Sequence, residues 1–258
     1  MSKNQSSKSL ALFVTNSTIS FLTKTTQQEE QFYSDVQHIK YISNYQSINI
    51  EEIRHHIKTT LPLLLYYDQV YICYQSTPCY LVPTTFFKKE LLNNYLLNTK
   101  AEFVYSYNQL KSIDAQFIFN IDLPVHEIFE ELPNLKQAHY LHSGELLINN
   151  VKVNKEKIQI FTQIINQKLE LCIYKNGIFM LYNIFDLVND DDLIYYILNT
   201  AQQLELDPTQ IEVYFESGLT PDNTIASYLE KYVQQIHYNK QYELLGSKHL
   251  LYKIFECE

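Results

Sequence analysis

Glycine is scarce in this chain: Gly144, Gly177, Gly218 and Gly246 are the four in 258 residues. A P-loop, a dinucleotide fingerprint and a G-x-S-x-G elbow each need glycines at fixed offsets, and none of the three occurs. Cysteine is equally thin. Cys73, Cys79, Cys172 and Cys257 are scattered, three of them in strand-like runs, and no pair has zinc-type spacing. Buried, reduced thiols in a cytoplasmic protein are therefore expected. Basic residues are outnumbered, 20 against 29 acids, for a net charge of −9. No Lys/Arg stripe interleaved with aromatics offsets that balance, so no nucleic-acid partner is expected. Long apolar runs are missing too. The stretch around Leu63 to Tyr67 falls far short of the ~18 residues a membrane span needs, and Leu10 to Val14 is too short for a signal-peptide core. Tryptophan is absent beside 22 tyrosines. With abundant Asn, Ile and Lys, this reads as coding bias and carries no functional weight.

What is present is a globular composition, 46% apolar and 19% charged. At this length folding buries roughly three quarters of the unfolded surface, in two lobes or one large domain. The segment from Lys157 to Phe215 organises the chain. Ile158, Ile160 and Thr162 alternate with Gln159 and Gln163, and Leu169 to Tyr174 forms a second run after Asn166-Gln167. Ile178 to Phe185 returns after Lys175-Asn176-Gly177. Asn-Gly between two β-rich runs predicts a type I′ hairpin, with φ > 0 at both central residues. A helix opened by Asp190-Asp191-Asp192 and a strand from Ile211 to Phe215 complete a meander–helix–strand module.

The first half repeats that order. Leu10 to Val14 is a strand, Thr15-Asn16-Ser17 a turn and Thr18 to Thr23 the return. Gln31 to Ile42 supplies a third strand whose alternation is broken at Asp35 and His38. Asn49 caps a helix with Glu52 at N3, Ile53, Ile57 and Leu61 make its buried stripe, and Pro62 ends it. Val70 to Tyr74 is the following strand. Leu81-Val82-Pro83 leads into a predicted helix from Thr84 to Asn98, then strands near Glu102 to Tyr107 and Gln116 to Ile121. Asp122 and Pro124 open a short helix to Leu132, and Pro133 to Val153 crosses to the second half. There Thr220-Pro221-Asp222 predicts a helix start, with Ile225, Leu229, Tyr232 and Ile236 on its apolar face. Leu250 to Phe255 reads as a last strand. Such a duplication implies mixed sheets in an α/β protein. The expected domains are 1–145, a ribonuclease-H-like lobe with an inserted αββα segment, and 146–258, a second ribonuclease-H-like lobe.

Leu81-Val82-Pro83 with Phe86-Phe87, Tyr174 to Gly177, Leu181-Tyr182-Asn183, Ile194-Tyr195-Tyr196 and Leu204 to Pro208 resemble the bacterial domain-of-unknown-function family 3822. The resemblance spans nearly the whole chain and is densest from 169 to 215. It implies an actin-like ATPase fold of two such lobes, with no assigned function and no catalytic residues to transfer. A nucleotide site in that fold needs glycine-rich turns, where backbone N–H groups approach phosphates, and an Asp that holds the metal through water. The turn at Thr15-Asn16-Ser17 has neither, and so does its second-half counterpart near Ile164 to Lys168.

The candidate nucleotide-contacting residues are therefore Ser217 and Gly218, which follow a strand, with Asn16 and Ser17. Each has a plainer reading as turn or loop. Asp190 to Asp192 reads as acids at a helix start, stabilised by the helix dipole without an ion. His139 and His142 lack an acidic partner at metalloprotease spacing, and adjacent His55 and His56 on a helix face different ways. No catalytic residue, metal ligand or cofactor is assigned. Two readings stand. One is a non-catalytic binding or scaffold module with a degenerate nucleotide site and a protein partner. The alternative is a nucleotide-binding ATPase or switch with a divergent site between the lobes, which rests on fold analogy.

Overall fold

A computed structural model describes residues 6–40, 50–60, 66–95, 103–133, 135–241 and 248–256. Asn49, the Glu52 side chain, Leu61, Pro62, Leu63, Leu96 to Asn98, Glu102, Gly246 and Cys257 lie outside the described residues. The chain divides into two compact units, 1–145 with 250–258, and 146–249.

The first unit is built on β1 (Ser7–Val14), β2 (Thr18–Gln27), β3 (Glu30–Tyr33), β4 (Gln37–Lys40), α1 (Ile50–Thr60) and β5 (Gln69–Tyr74). β1 pairs antiparallel with β2 and parallel with β5. The expected third strand is two short ones, β3 and β4, both antiparallel to β2. They part at Ser34-Asp35-Val36, where the Thr23 N–H donates to Ser34 Oγ at 3.0 Å in place of a backbone acceptor. Ile53 and Ile57 of α1 are buried, as their spacing requires.

β6 (Cys79–Pro83), α2 (Leu92–Tyr95), β7 (Phe103–Leu110), β8 (Ala115–Asp122) and α3 (Leu123–Glu130) follow. β6, β8 and β7 form a separate antiparallel sheet in that order. The helix predicted over Thr84 to Asn98 is not continuous. Short 3₁₀ turns at Thr84–Phe86 and Lys89–Leu91 precede α2, and Phe87 between them is extended at φ −72°, ψ 131°. The break brings Phe87 against Tyr95 and Tyr107, and lets the Tyr95 hydroxyl accept from Lys88 N–H and donate to Phe86 O. Asp122 caps α3, accepting from Val125 N–H, as its position predicts.

Within the expected crossing lie β9 (His139–His142), which joins β5 in parallel, and α4 (Ser143–Asn150). The sequence pattern gave no sign of β9, which is four residues long. The chain end also differs from expectation. Leu250 to Ile254 lies in a helix, α7 (Lys248–Ile254), with Phe255 in the turn after it, and this stretch belongs to the first unit. Leu250, Leu251, Ile254 and Phe255 are its buried side, a helical spacing that a short apolar run disguises as a strand.

The second unit carries β10 (Ile158–Ile165), β11 (Lys168–Lys175), β12 (Ile178–Asp186), α5 (Asp191–Gln203), β13 (Ile211–Ser217), α6 (Thr224–Leu229) and β14 (Gln235–Tyr238). Its sheet runs β12-β11-β10-β13-β14, antiparallel in the meander and parallel from β10 to β14. Asn176 at φ 52° and Gly177 at φ 82° make the turn that Asn-Gly predicts. Asn189 and Asp192 cap α5 reciprocally. Asp192 N–H donates to Asn189 Oδ1 at 3.1 Å, and Asp192 Oδ2 accepts from Asn189 N–H at 3.0 Å. Among the described residues Asp190 makes no side-chain cap bond.

The helix expected from Thr220 begins later, at Thr224, because Asn223 is the residue whose Oδ1 takes Ile225 N–H. It ends at Leu229, and Ile236 lies in β14. One face of the sheet packs Ile158, Ile160, Leu169, Leu171 and Ile173 with Leu193 and Ile197 of α5.

Candidate functional site

The site residues expected from sequence sit at the carboxyl ends of the parallel strands, where open α/β sheets commonly place ligands. In the first unit that end is the β1–β2 turn. Thr15 is buried, while Asn16 and Ser17 are exposed at the tip. The Thr15 N–H donates to Thr18 O at 2.9 Å. Its hydroxyl accepts from Thr18 N–H at 3.1 Å and Ser17 N–H at 3.4 Å, and meets the Thr18 hydroxyl at 2.9 Å. The N–H groups of Thr15, Ser17 and Thr18 are thus engaged by the turn itself.

In the second unit the β10–β11 turn is Asn166-Gln167, with φ 46° and 59° and Ile165 paired to Lys168. Gln167 O accepts from Leu187 N–H at 2.7 Å, which ties this turn to the end of β12. Ser217 and Gly218 close β13 beside it. The Ser217 hydroxyl is buried and makes no hydrogen bond among the described residues. Gly218 has φ +96°, and a Cβ there would fall 2.4 Å from Ile164 Cβ. The backbone of β10 requires a glycine at this position whether or not a ligand is present.

Three buried polar clusters went unnoticed in the sequence. At the start of α4, His142 replaces the usual Ser or Thr of a capping box. Its Nδ1 accepts from Gly144 N–H at 2.9 Å, so the proton sits on Nε2, which donates to Ser76 O at 2.9 Å. Glu145 closes the box by accepting from His142 N–H at 2.9 Å, and also from Asn108 Nδ2 at 3.0 Å. Burial pushes the Glu145 carboxyl up to about 8 against those two bonds. Phe117 and Phe119 flank the imidazole.

In the second unit, Gln159 and Gln163 do not mark a solvent face: both are buried. Gln163 Nε2 and the Tyr182 hydroxyl each donate to Glu170 Oε2, at 2.9 and 3.0 Å. On the neighbouring strand Lys157 pairs with Glu212, whose other oxygen accepts from Tyr214 at 2.6 Å and lies 3.4 Å from His237 Nε2. Burial works against the Glu212 charge, but the Lys157 and Tyr214 bonds outweigh it and hold the carboxyl below its usual range. The only hint of these clusters in the sequence was polar residues at strand centres.

A cavity of about 260 Å³ opens beside Lys157, Lys175, Asn176, Gln210 and Gln234. It lies at the amino ends of β10 and β13, opposite Ser217 and Gly218. Among the described residues no three His, Cys, Asp or Glu side chains converge as a metal site, and no helix is long and apolar enough to cross a membrane.

The sequence matches the profile of a protein family of unknown function, DUF3822, over residues 1–236. No curated protein matches it. Among solved structures it is similar to a Bacteroides thetaiotaomicron protein of unknown function with an actin-like ATPase fold. That likeness has a TM-score of 0.81 at 17% identity, over 97% of this chain and 96% of the other. It is also similar to the cytoplasmic domain of EpsL from Vibrio cholerae, an inner membrane component of the type II secretion system. Here the TM-score is 0.54 at 10% identity, over 98% and 96% of the two chains. A chain of the PilM–PilN type IV pilus biogenesis complex gives 0.53 at 10% identity, over 95% and 94%. The mixed sheets in the order found here are those of the actin-like ATPase fold.

Proposed function

The chain belongs to the DUF3822 family, and we propose that it is a non-catalytic binding or scaffold module of the cytoplasm, an actin-like fold with a degenerate nucleotide site. The observation that carries this reading is the β1–β2 turn. Phosphates need free backbone N–H groups and an acid to hold the waters of their metal. Here the Thr15 hydroxyl takes the N–H groups of Ser17 and Thr18, and Asn16 and Ser17 are neutral. The β10–β11 turn, Asn166-Gln167, offers no carboxylate or glycine either. Gly218, the remaining candidate, is accounted for by Ile164. These residues do not fit ATP with its metal.

A protein partner follows from the same reading, since a fold kept without its ligand is kept for its surfaces. The fold also occurs in parts of assemblies, EpsL of a secretion system and PilM with PilN. The alternative, a nucleotide-binding ATPase or switch, draws support from the fold alone.

Isothermal titration with Mg-ATP and a thermal-shift series test the proposal. A ligand at a hundred times its Kd adds about 2.7 kcal/mol to stability, a plain rise in melting temperature. The expected result is no heat of binding and no shift. Submicromolar ATP affinity, or phosphate release above background, overturns the reading.

A further inference from the structure

The β12 edge of the second unit's sheet, unpaired among the described residues, is unlike the other edges. β3, β4, β9 and β14 have four residues each, and β6 ends in Pro83. β7 is longer but half-buried over most of its length. β12 runs nine residues, all exposed or half-buried, with no Lys or Pro. Proteins usually blunt such an edge, because its unpaired N–H and C=O groups template another strand. A bulge at Met180, where the β11 register shifts between Ile173 and Tyr174, blunts it only near its start.

Ile178, which opens the strand, and Val188, just beyond its end, are 67% and 88% exposed. The edge also shows which backbone groups face outward. Leu187 N–H bonds inward to Gln167 O, so beyond the bulge, from Leu181 to Leu187, the odd-numbered residues face β11. Ile184 N–H faces out and is held at 2.9 Å by the Oδ1 of its own neighbour, Asn183. That side chain occupies the position a carbonyl of an added strand would take.

Charge is polarised along the strand. Its amino end adjoins Lys175 and Lys155, the latter packed on Gly177. Its carboxyl end carries Asp186, which is already paired with Lys168 of β11, and runs into exposed Asp190 and Asp191, which supply its net negative charge. We infer that β12 is an interface for a second copy of this chain, paired antiparallel to its own counterpart about a two-fold axis at Asn183. The inference goes beyond the scaffold reading and does not depend on it. Antiparallel pairing lays the lysine end of each copy against the aspartate end of the other, the self-complementarity a two-fold contact demands. It sets Leu181 opposite Phe185, and the outward groups of Tyr182 against those of Ile184. A neutral, unrelated strand would leave both charged ends unmatched.

Sedimentation velocity on the full chain, from about 1 to 300 µM, covers the Kd range of a weak, transient contact. The weight-average mass should climb from 30.6 kDa toward twice that value. Ile184→Pro removes an outward N–H together with its bond to Asn183 Oδ1, a change an edge strand tolerates, and should stay folded by circular dichroism while remaining a monomer. Lys175→Glu and Asp191→Lys should each weaken the dimer at least several-fold, and an equimolar mixture of the two should restore it. A wild type that stays monomeric across the range overturns the inference. So does a dimer that survives Ile184→Pro, or charge variants whose mixture does not recover.

Discussion

The two main sheets share an order of strands and differ in how they close the carboxyl end of the parallel pair. In the first unit the segment after β5 is held by polar bonds: Ser76 O accepts from the His142 imidazole, and Ser76 Oγ donates to Asn120 O at 2.6 Å. In the second unit the segment after β13 is held by contact, with Gly218 lying on Ile164. A polar closure is sensitive to protonation and tolerant of shape. A steric closure is the reverse.

The steric closure should break most sharply. Gly218→Val forces a β-branched residue to φ +96° and drives its Cβ to 2.4 Å from Ile164. Backbone strain and overpacking together should cost about 2–5 kcal/mol, read as a lower urea midpoint. Ile164→Gly in the same chain removes the contacted Cβ and, measured against Ile164→Gly alone, should recover part of the overpacking and leave the strain. No recovery would mean that Gly218 is required for something other than room beside β10.

The polar closure should respond to pH. The folded-state carboxyl of Glu145 is raised from 4.5 to about 8, so the folded protein holds a proton that the unfolded chain releases. Its contribution is then most favourable below 4.5, declines as pH rises to about 8, and is flat above. Glu145→Gln keeps an oxygen for Asn108 Nδ2 and His142 N–H and has no proton to lose. Its melting temperature should therefore gain on the wild type by an amount equivalent to a few kcal/mol between pH 5 and 8. Parallel pH profiles would show that this carboxyl does not distinguish the two closures.

The hairpin turns give the next, smaller effect. Gly177 has φ +82°, but a Cβ there meets the flexible Lys155 side chain at 3.0 Å and the Lys155 Cα only at an ordinary 3.4 Å. Gly177→Val should cost about 1–2 kcal/mol, from backbone conformation with little overpacking. A loss as large as that of Gly218→Val would erase the distinction between the two glycines.

Much of the fold was legible because its signals are local. Asn176-Gly177 announces its turn, and Ile53 with Ile57 announces a buried helix face. The misread segments depend on distant partners. Thr84 to Tyr95 has a helix's apolar content, yet Phe87 turns out of the pattern to reach Tyr107. Leu250 to Phe255 is too short for its period to be seen, and buried Lys253 blurs the face further. For the candidate site, the missing Asp and Gly could be read directly. That Ile164 occupies the space beside Gly218, and that Thr15 satisfies its own turn, required the strands to be assembled.

The smallest expected effect concerns a turn the sequence hid. Gln28 at φ 50° and Glu29 at φ 72° join β2 to β3 with Gln27 paired to Glu30, the same two-residue, positive-φ geometry as Asn176-Gly177. Neither residue type signals such a turn, and each is strained in that region. The first sheet tolerates it because β3 is short and exposed, so little packing depends on the turn. Replacing the pair by Gln28→Asn and Glu29→Gly supplies residues that adopt the conformation readily. Relief of αL strain should outweigh the added flexibility of the unfolded chain and stabilise the protein by roughly 0.5–1 kcal/mol. The measurement is the urea midpoint at constant slope, since a changed slope would report on the unfolded state. An unchanged or lowered midpoint would mean that the two hairpins differ in more than their turn residues.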